Sequence, residues 1–539
     1  MSDDETATVT GKGRSLTGLA FAVLAFGLLG NLANLLNFHG YPAISGETAL
    51  LALILLGMAG LGSALHGLAQ PRLSFLVTGL IVALLIDFGS DLSLLAFYAT
   101  AAIIALLAWF HEREILKLAA AAFGAVLIFQ VLALTTGIGR PVPPDNQAKR
   151  LQDPARAASR SPPIVHLILD SYIGLDGMSA PDTGFGTLRQ EQEAFFLAHG
   201  FQLYPQAYSR HAKTINALPE LLSYGRVKQG REPRAVQYAV APALPYFEDL
   251  DRAGYRTSVS APSFVDFCIN QPLTRCRNYN RSHLAAMAGS GLAVTDRAKV
   301  LGLTMLELSD FTARIAAAID RLFPASQTAP RRHVYNRAKL YSLTGLRELE
   351  RFSADLGTLR RGEVRFIHLL LPHDPYLLDG QCRILPEADW IDEHGPATEA
   401  ERDAAYARQV RCVTNGGLRR LLAALERTEA GRAAIVVIHG DHGSRTIDSL
   451  PAAGGPTPGQ RALAVTHSAF FAIRVPGEAA AIRPGRVALD ELFGSLAANR
   501  FAAAPSPVGG PPQVYLMDAD WVPRRRISLP DFTRKLTGN

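Results

Sequence analysis

Five stretches free of Asp, Glu, Lys and Arg, at 15–46, 48–71, 73–86, 92–111 and 118–139, constrain this chain more than any other feature. A helix crosses the hydrocarbon core of a bilayer with about 20 apolar residues, and four of the stretches meet that length. The third meets it only by taking in Asp87 and the Phe88-Gly89-Ser90 turn. The expectation is five spans, at about 16–37, 48–69, 73–89, 92–110 and 117–137. The first is not a cleaved signal peptide ahead of a soluble chain, because four more follow it. Charge divides the molecule at the same place. Residues 1–138 hold 13 charged side chains with a net charge of −3, and the remaining 401 hold 89 with a net charge of +9. The second density is ordinary for a globular domain. A disordered, collagen-like or wholly soluble chain is excluded.

Lys and Arg in short loops set orientation. With the N-terminus inside, the inner segments carry Lys12, Arg14, Arg72, Arg113 and Lys117, while the outer loops at 38–47 and 89–91 carry none. An odd number of spans then puts everything after about 140 outside the cytoplasm. Cys268, Cys276, Cys382 and Cys412 all fall in that outer part. An even count in an oxidising compartment reads as two disulfides. Proximity in sequence favours Cys268–Cys276 and Cys382–Cys412 among the three possible pairings. Within the spans, Asn31, Asn34 and Asn37 follow a helical period, and Asp87 and Asp91 flank a turn. The asparagines are expected to pack between helices and the aspartates to meet water at the outer interface. The alternative is a polar notch for a lipid headgroup.

Residues 139–163 form a linker rich in proline, with Lys149, Arg150, Arg156 and Arg160. Beyond it, apolar runs at Ile164–Leu169, Thr257–Ser260, Val364–Leu371, Ala434–His439 and Ala469–Val475 read as parallel strands buried on both faces. Helical stretches at about 187–199, 243–253, 335–356 and 402–427 lie between them, so 164–539 is expected to be a doubly wound α/β domain. An apolar-rich insertion at about 283–323 is expected to pack on the sheet as ordinary helices, with the bilayer surface as the alternative. The Arg524-Arg525-Arg526 cluster reads as a solvated tail or as a contact for anionic lipid.

In a doubly wound sheet, ligands bind beyond the carboxyl ends of the strands. One apolar run stops at Asp170, one at Asp441-His442-Gly443, and one at His373, with His368 five residues earlier. A single aspartate after a strand is commonly a helix cap. Two carboxylates with an imidazole suit Zn²⁺ or Mn²⁺. The segment Tyr208–Ser223 adds the hydroxyl of Thr214 ahead of a helix, where it is either an N-cap or a nucleophile that needs a base or metal.

This ordered set (strand–Asp170, Thr214 with Pro219 five residues on, His368 and His373, and Gly-Asp441-His442-Gly) resembles the alkaline phosphatase and sulfatase superfamily. With five N-terminal spans it resembles the membrane-anchored branch: phosphoethanolamine transferases, lipoteichoic acid synthases and phosphoglycerol transferases. The resemblance implies an N-terminal helical transmembrane bundle plus an α/β, alkaline-phosphatase-like outer domain. It implies metal ligation by Asp170, Thr214, Asp441 and His442. Thr214 would be the residue that becomes a phospho-enzyme. His368 and His373 would lie near the donor phosphate or a second metal, and His467 resembles a later histidine of the same part, or a core histidine. Lys213 and Arg445 sit beside these motifs and either pair with phosphate oxygens or remain solvated. The Cys/Ser-x-Pro-x-Arg pattern of true sulfatases is absent, which turns the expectation from sulfate esters to phosphoesters.

The expected activity is transfer of a phospholipid headgroup, phosphoethanolamine or phosphoglycerol, through phospho-Thr214 to a lipid or glycan acceptor. The cofactor would be a divalent metal, Zn or Mn. The chain would be a monomer in a bacterial inner membrane with its catalytic domain in the periplasm and no nucleic-acid partner. A phosphoester hydrolase using the same site is one alternative. The other is a non-catalytic, lipid-binding regulator of envelope synthesis, which would be expected to have lost its metal ligands. Ser-Arg-Thr-Ile follows Gly443, and no cysteines bracket Thr214. Both depart from phosphoethanolamine transferases and leave the headgroup open.

Overall fold

The computed structural model describes residues 3–70, 72–90, 92–136, 149–150, 161–180, 183–226, 239–241, 243–279, 284–306, 308–309, 311–312, 340–393, 396–448, 450–456, 458–506, 510–518 and 522–530, without the side chains of 3–15, 149–150 and 239–240. Asp91 and most of the expected linker lie outside these. The chain divides into two units, Met1–Pro141 with Leu284–Arg337, and Val142–His283 with Ala338–Asn539.

The first unit is helical. Its helices are α1 (Asp3–Phe38), α2 (Gly46–Ala69), α3 (Ser74–Ser90) and α4 (Leu94–Thr136). Among the described residues, three stretches are long and apolar enough to cross a membrane: Leu16–Phe38, Gly46–Ala69 and Leu94–Thr136. Ser74–Ser90 is apolar but shorter. The spans expected at 92–110 and 117–137 thus fall in one 43-residue element, which bends at His111, where φ is −138° and ψ 39°. Large apolar side chains point out of this unit, with Leu53, Leu106 and Phe110 each more than 60% exposed. Polar groups turn inward. Asn31 is buried and donates to the Gly27 carbonyl of its own helix. Glu112, just past the bend, accepts from Ser74 on one oxygen, and Thr78 and His66 meet the other.

The insertion after residue 283 does not pack on the sheet as expected. Its helix Val294–Leu306 lies against α2. Arg297 pairs with Glu47, which also accepts from Tyr41; Ser309 donates to Asp87; Phe311 stacks on Phe97 at 4.3 Å. Asp87 is therefore fully buried and paired rather than placed in water. Buried carboxylates demand partners; Tyr41 serves one oxygen of Glu47 and the Leu92 N–H one oxygen of Asp87, and the insertion supplies the remaining oxygens with Arg297 and Ser309.

The second unit is built on a nine-stranded sheet in the order Lys149–Arg150, Arg275–Tyr279, Arg256–Pro262, Glu363–Leu369, Ile164–Leu169, Ile435–Gly440, Phe471–Arg474, Gln202–Leu203, Ala481–Ile482. The Ile164–Leu169 strand pairs in parallel with Glu363–Leu369 on one side and Ile435–Gly440 on the other. All six of its residues are buried, as its unbroken apolar run requires of a strand covered on both faces. Phe471–Arg474 runs antiparallel to Ile435–Gly440, a departure from the expected parallel sheet. Helices Thr214–Leu222, Pro245–Arg252 and Leu489–Ala498 cover one face, bringing Leu218, Phe247 and Leu492 onto Ile168, Phe366 and Val437. The expected helix at 402–427 is Glu399–Arg411, a π-helical turn Cys412–Leu418 and Arg419–Glu426. Both expected disulfides, Cys268–Cys276 and Cys382–Cys412, are formed. Arg524–Arg526 lie in a strand, Pro523–Ser528, paired with Gln513–Met517, and not in a tail.

Candidate metal and nucleophile site

Asp170 leaves the end of its strand while its N–H still bonds the Leu369 carbonyl at 2.9 Å. The next residue, Ser171, turns sharply, with φ at +63°. A non-glycine in this region costs about 1–3 kcal/mol and must be held by its surroundings. Tyr406 holds it, donating to the Ser171 carbonyl at 2.8 Å and accepting from the Ile173 N–H at 2.9 Å. The turn aims the Ser171 N–H at Asp441 Oδ1 (2.9 Å) and its hydroxyl at Asp170 Oδ1 (3.0 Å). Asp441 follows Gly440, where a Cβ would lie 2.3 Å from the Tyr172 carbonyl oxygen; only glycine lets the two strand ends approach so closely.

His442 Nδ1 donates to the Gly443 carbonyl at 2.7 Å, which leaves the lone pair on Nε2. That Nε2 lies 3.4 Å from Asp441 Oδ2 and 3.7 Å from Asp170 Oδ1. Asp170, Asp441 and His442 each offer a ligand atom within 4.8 Å of the others, and all three are buried. Thr214, the first residue of its helix, places Oγ1 3.1 Å from Asp170 Oδ2 and 3.3 Å from His442 Nε2. Burial would raise the Asp170 carboxyl, but His373, His368 and His442 around it hold it well below the usual carboxylate range. Burial lowers His442 and keeps its imidazole neutral, the form that ligates.

The donor set fits a divalent ion. Asp441 Oδ2 and both ring nitrogens of His368 are buried without a hydrogen-bond partner, and His368 Nε2 stands 3.6 Å from Asp170 Oδ2. Such groups cost about 1–3 kcal/mol each when left unpaired, a cost that ligation or an anion removes. Two carboxylates, one imidazole and a hydroxyl form the set that binds zinc or manganese.

The remaining expected residues divide. His373 reaches the site through Arg445, whose Nη1 lies 3.2 Å from His373 Nε2 and whose Nη2 lies 3.3 Å from His442 Nε2. Burial would lower His373, but Asp374 and Asp170 raise it to about 9. Lys213 precedes Thr214 as the N-cap residue; burial and then Arg445 lower its ammonium to about 8. His467 is buried, with Nδ1 on the Ser209 carbonyl at 3.1 Å and no partner for Nε2. Four contributors were not expected. Ser171 and Tyr406 shape the turn, Asp374 orients His373, and Glu393 stands 3.7 Å from Arg445. Asp374, adjacent to His373, was the one with a visible signal. Tyr406 and Glu393 come from distant segments and left none.

No family model matches the chain, and no curated protein matches it. Among solved structures, it is similar to the phosphonate monoester hydrolase of Agrobacterium radiobacter (13% identity, 66% of this chain and 81% of that one, TM-score 0.38). It is similar to the C-terminal periplasmic domain of EcEptC from Escherichia coli in complex with Zn (13%, 69% and 94%, TM-score 0.38). It is also similar to BT1596, a 2-O GAG sulfatase (11%, 66% and 78%, TM-score 0.38). Likeness at this level assigns neither family nor activity, and the functional reading rests on the site's own geometry.

Proposed function

We propose that this chain is a membrane-anchored, metal-dependent phosphotransferase that moves a phospholipid headgroup through phospho-Thr214 to a lipid or glycan acceptor. The observation that carries this reading is the Thr214 hydroxyl inside a buried cage of Asp170, Asp441 and His442. A divalent ion, zinc or manganese, held by those residues would supply Lewis acidity to the threonine oxygen and to phosphate. The chain's own groups supply the rest. Asp170 accepts the Thr214 O–H and orients the oxygen, whose proton passes to water before the attack. The oxygen attacks phosphorus, an O–P bond forms, and the bond to diacylglycerol breaks. His373, held near 9, delivers a proton to the departing oxygen. Protonated, His373 faces the Arg445 guanidinium donor to donor, an arrangement that a phosphate oxygen between them relieves. The acceptor hydroxyl then attacks phosphorus, loses its proton to the same imidazole and releases Thr214.

The helical unit gives this reading its donor. Five crossings with an inner N-terminus follow if α4 crosses twice, and the bend at His111, beside Glu112, Arg113, Glu114 and Lys117, divides it into two apolar halves. The catalytic unit then faces the periplasm, where its disulfides persist. A tethered site meets bilayer lipid at high effective concentration.

The test is intact-mass analysis of the detergent-solubilised chain after incubation with phosphatidylethanolamine or phosphatidylglycerol and zinc or manganese. A headgroup-phosphate adduct on Thr214, absent in Thr214→Ala, is expected. Free headgroup released to water with no acceptor modified would make the enzyme a hydrolase. No adduct under any combination would end the reading.

A further inference from the structure

Directly beneath the candidate metal ligands, on the sheet face covered by helices Pro245–Arg252 and Leu489–Ala498, two histidines are buried where the surroundings are aromatic. His166, in the Ile164–Leu169 strand, lies 4.7 Å from the ring of Phe366 and 5.3 Å from that of Phe493. His439, in the adjacent strand, lies 5.0 Å from Phe493. Both are fully buried. Neither appeared among the site residues expected from sequence, because each sits inside an apolar run where a core histidine is unremarkable. A core that only had to be filled would take phenylalanine at both positions, since burying an imidazole costs free energy unless every ring nitrogen is matched.

Here every ring nitrogen is matched, and the matches have a direction. His439 Nδ1 lies 2.7 Å from the Gly440 carbonyl, which can only accept, so Nδ1 carries the proton and Nε2 keeps the lone pair. His166 Nε2 lies 2.7 Å from that Nε2 and must therefore donate to it. His166 Nδ1 is left as an acceptor, and the Tyr246 hydroxyl, 2.7 Å away, donates to it. Burial keeps His166 well below its usual range and raises the Tyr246 phenol, so both stay neutral as this pattern requires. The chain of bonds runs Tyr246 → His166 → His439 → Gly440 carbonyl and ends there.

That end point is the peptide between Gly440 and Asp441. A peptide unit is planar from Cα to Cα, so a carbonyl pinned at Gly440 also fixes the N–Cα bond of Asp441. The other side of the turn is already held, with the Gly440 N–H on the Phe470 carbonyl and the Gly443 N–H on the Thr466 carbonyl, both at 2.9 Å. We propose that Tyr246, His166 and His439 form a directional hydrogen-bond relay that orients the Asp441-His442 turn, making His439 a positioning residue for the divalent-metal site. The proposal rests on the reading that Asp441 and His442 hold such an ion, and it adds groups that never touch the ion.

Outer partners that orient ligands are typically worth roughly 10–100-fold in metal affinity. The experiment is zinc competition against a fluorescent chelator, using the full chain in detergent, with Asp441→Ala as the control for loss of the site. His439→Phe fills the space without donating to Gly440 and is expected to weaken zinc binding by about 10–100-fold. His439→Asn keeps an N–H near the Nδ1 position and is expected to recover most of that loss. Tyr246→Phe, which removes only the far donor, is expected to weaken binding by a few-fold. The melting temperature of each metal-free variant is read alongside. Zinc affinity unchanged in His439→Phe overturns the proposal, even if melting drops, because the histidine would then serve packing alone. Asn no better than Phe also overturns it. If His439→Phe does not fold, Tyr246→Phe decides, and wild-type affinity there overturns the relay. A wild-type chain that binds zinc but forms no adduct on Thr214 ends the transferase reading and leaves this proposal standing. A wild-type chain that binds no zinc overturns both.

Discussion

Glu112 in the helical unit is a partly buried carboxylate and Asp441 in the sheet-bearing unit a fully buried one, and they are finished differently. Both oxygens of Glu112 are taken, one by Ser74 and the other by Thr78 and His66. Asp441 has one oxygen bonded to the Ser171 and His442 N–H groups and the other without a partner. A carboxylate with both oxygens bonded holds together the helices that bring its donors, even though His66 Nδ1 in the same cluster has no partner. An unsaturated one persists only where the fold around it is rigid and something else completes it. The difference separates a joint between helices from a place with room for a ligand atom.

The largest effects should come from the unsaturated cluster. Thr214→Ala should lower headgroup transfer on the order of 10⁴-fold or more while the melting temperature stays within a few degrees, since it removes the attacking oxygen and little packing. Stripping metal with a chelator should abolish turnover. It should also lower the melting temperature, because a site filled at 100 times its dissociation constant contributes about 2.7 kcal/mol. Returning zinc or manganese should restore both, and a melting curve indifferent to metal would sink the ligand assignment.

In the saturated cluster the order reverses, with stability changing more than chemistry. Glu112→Ala strands His66, Ser74 and Thr78 and, since Glu112 is only partly buried, should cost about 1–3 kcal/mol, read as faster proteolysis of the helical unit in detergent. The double change Glu112→Leu with His66→Leu should recover part of that, because the stranded imidazole is gone and only the Ser74 and Thr78 hydroxyls remain. If single and double variants behave alike, the cluster is not the joint described.

A smaller effect is expected from acid. His211 is buried, beside His467 and Arg210, and burial holds it near 3. Its folded value lies below its unfolded one of about 6.5. The unfolded chain therefore binds more protons below that pH, and stability falls as pH drops from 6.5 towards 3. The slope is about 1 kcal/mol per pH unit for this one group. Melting of the sheet-bearing unit at pH 7.5 and 5.5, followed by near-UV circular dichroism, should show a decline to which His166, His439 and His467, also lowered by burial, contribute, and His211→Phe should make it shallower by its own share. The smallest effect belongs to Arg524→Ala. Its pair with Asp518 is mostly exposed, and the loss should be about 0.5 kcal/mol or less.

Much of the fold could be read directly from residues, and the reason differs by element. The Ile164–Leu169 and Ile435–Gly440 strands show as unbroken apolar runs because burial on both faces removes the alternation of a half-exposed strand. The direction of Phe471–Arg474 could not be read this way, since an apolar run looks alike in either direction. The break at His111 was legible: two apolar stretches with charges between them read as two helices, and the backbone leaves helical geometry at His111, just ahead of those charges. The insertion, in contrast, misled. Val294–Leu306 has the apolar content to pack on a sheet or on other helices, and only Arg297 meeting Glu47 and Ser309 meeting Asp87 decide which.

At the site, Asp170 and Asp441-His442 were visible because strand-end polar residues stand out against the apolar runs before them, and Thr214, at the start of a helix, was picked out only beside them. Ser171, Tyr406 and the His166–His439 pair were not, because their roles depend on partners 235 to 273 residues away in the chain, as with Tyr406 and Ser171 or His166 and His439; Glu393 likewise meets Arg445 from a separate segment. The sequence by itself determined the composition of two units, which runs are buried, and which residues carry ligand chemistry, since hydropathy and side-chain type are local properties. Tertiary structure alone decided where the insertion packs, which carboxylate has both oxygens bonded and which keeps one open, and which way the hydrogen bonds point beneath Asp441. Those are properties of meeting groups, and a linear chain does not state which of its distant groups will meet.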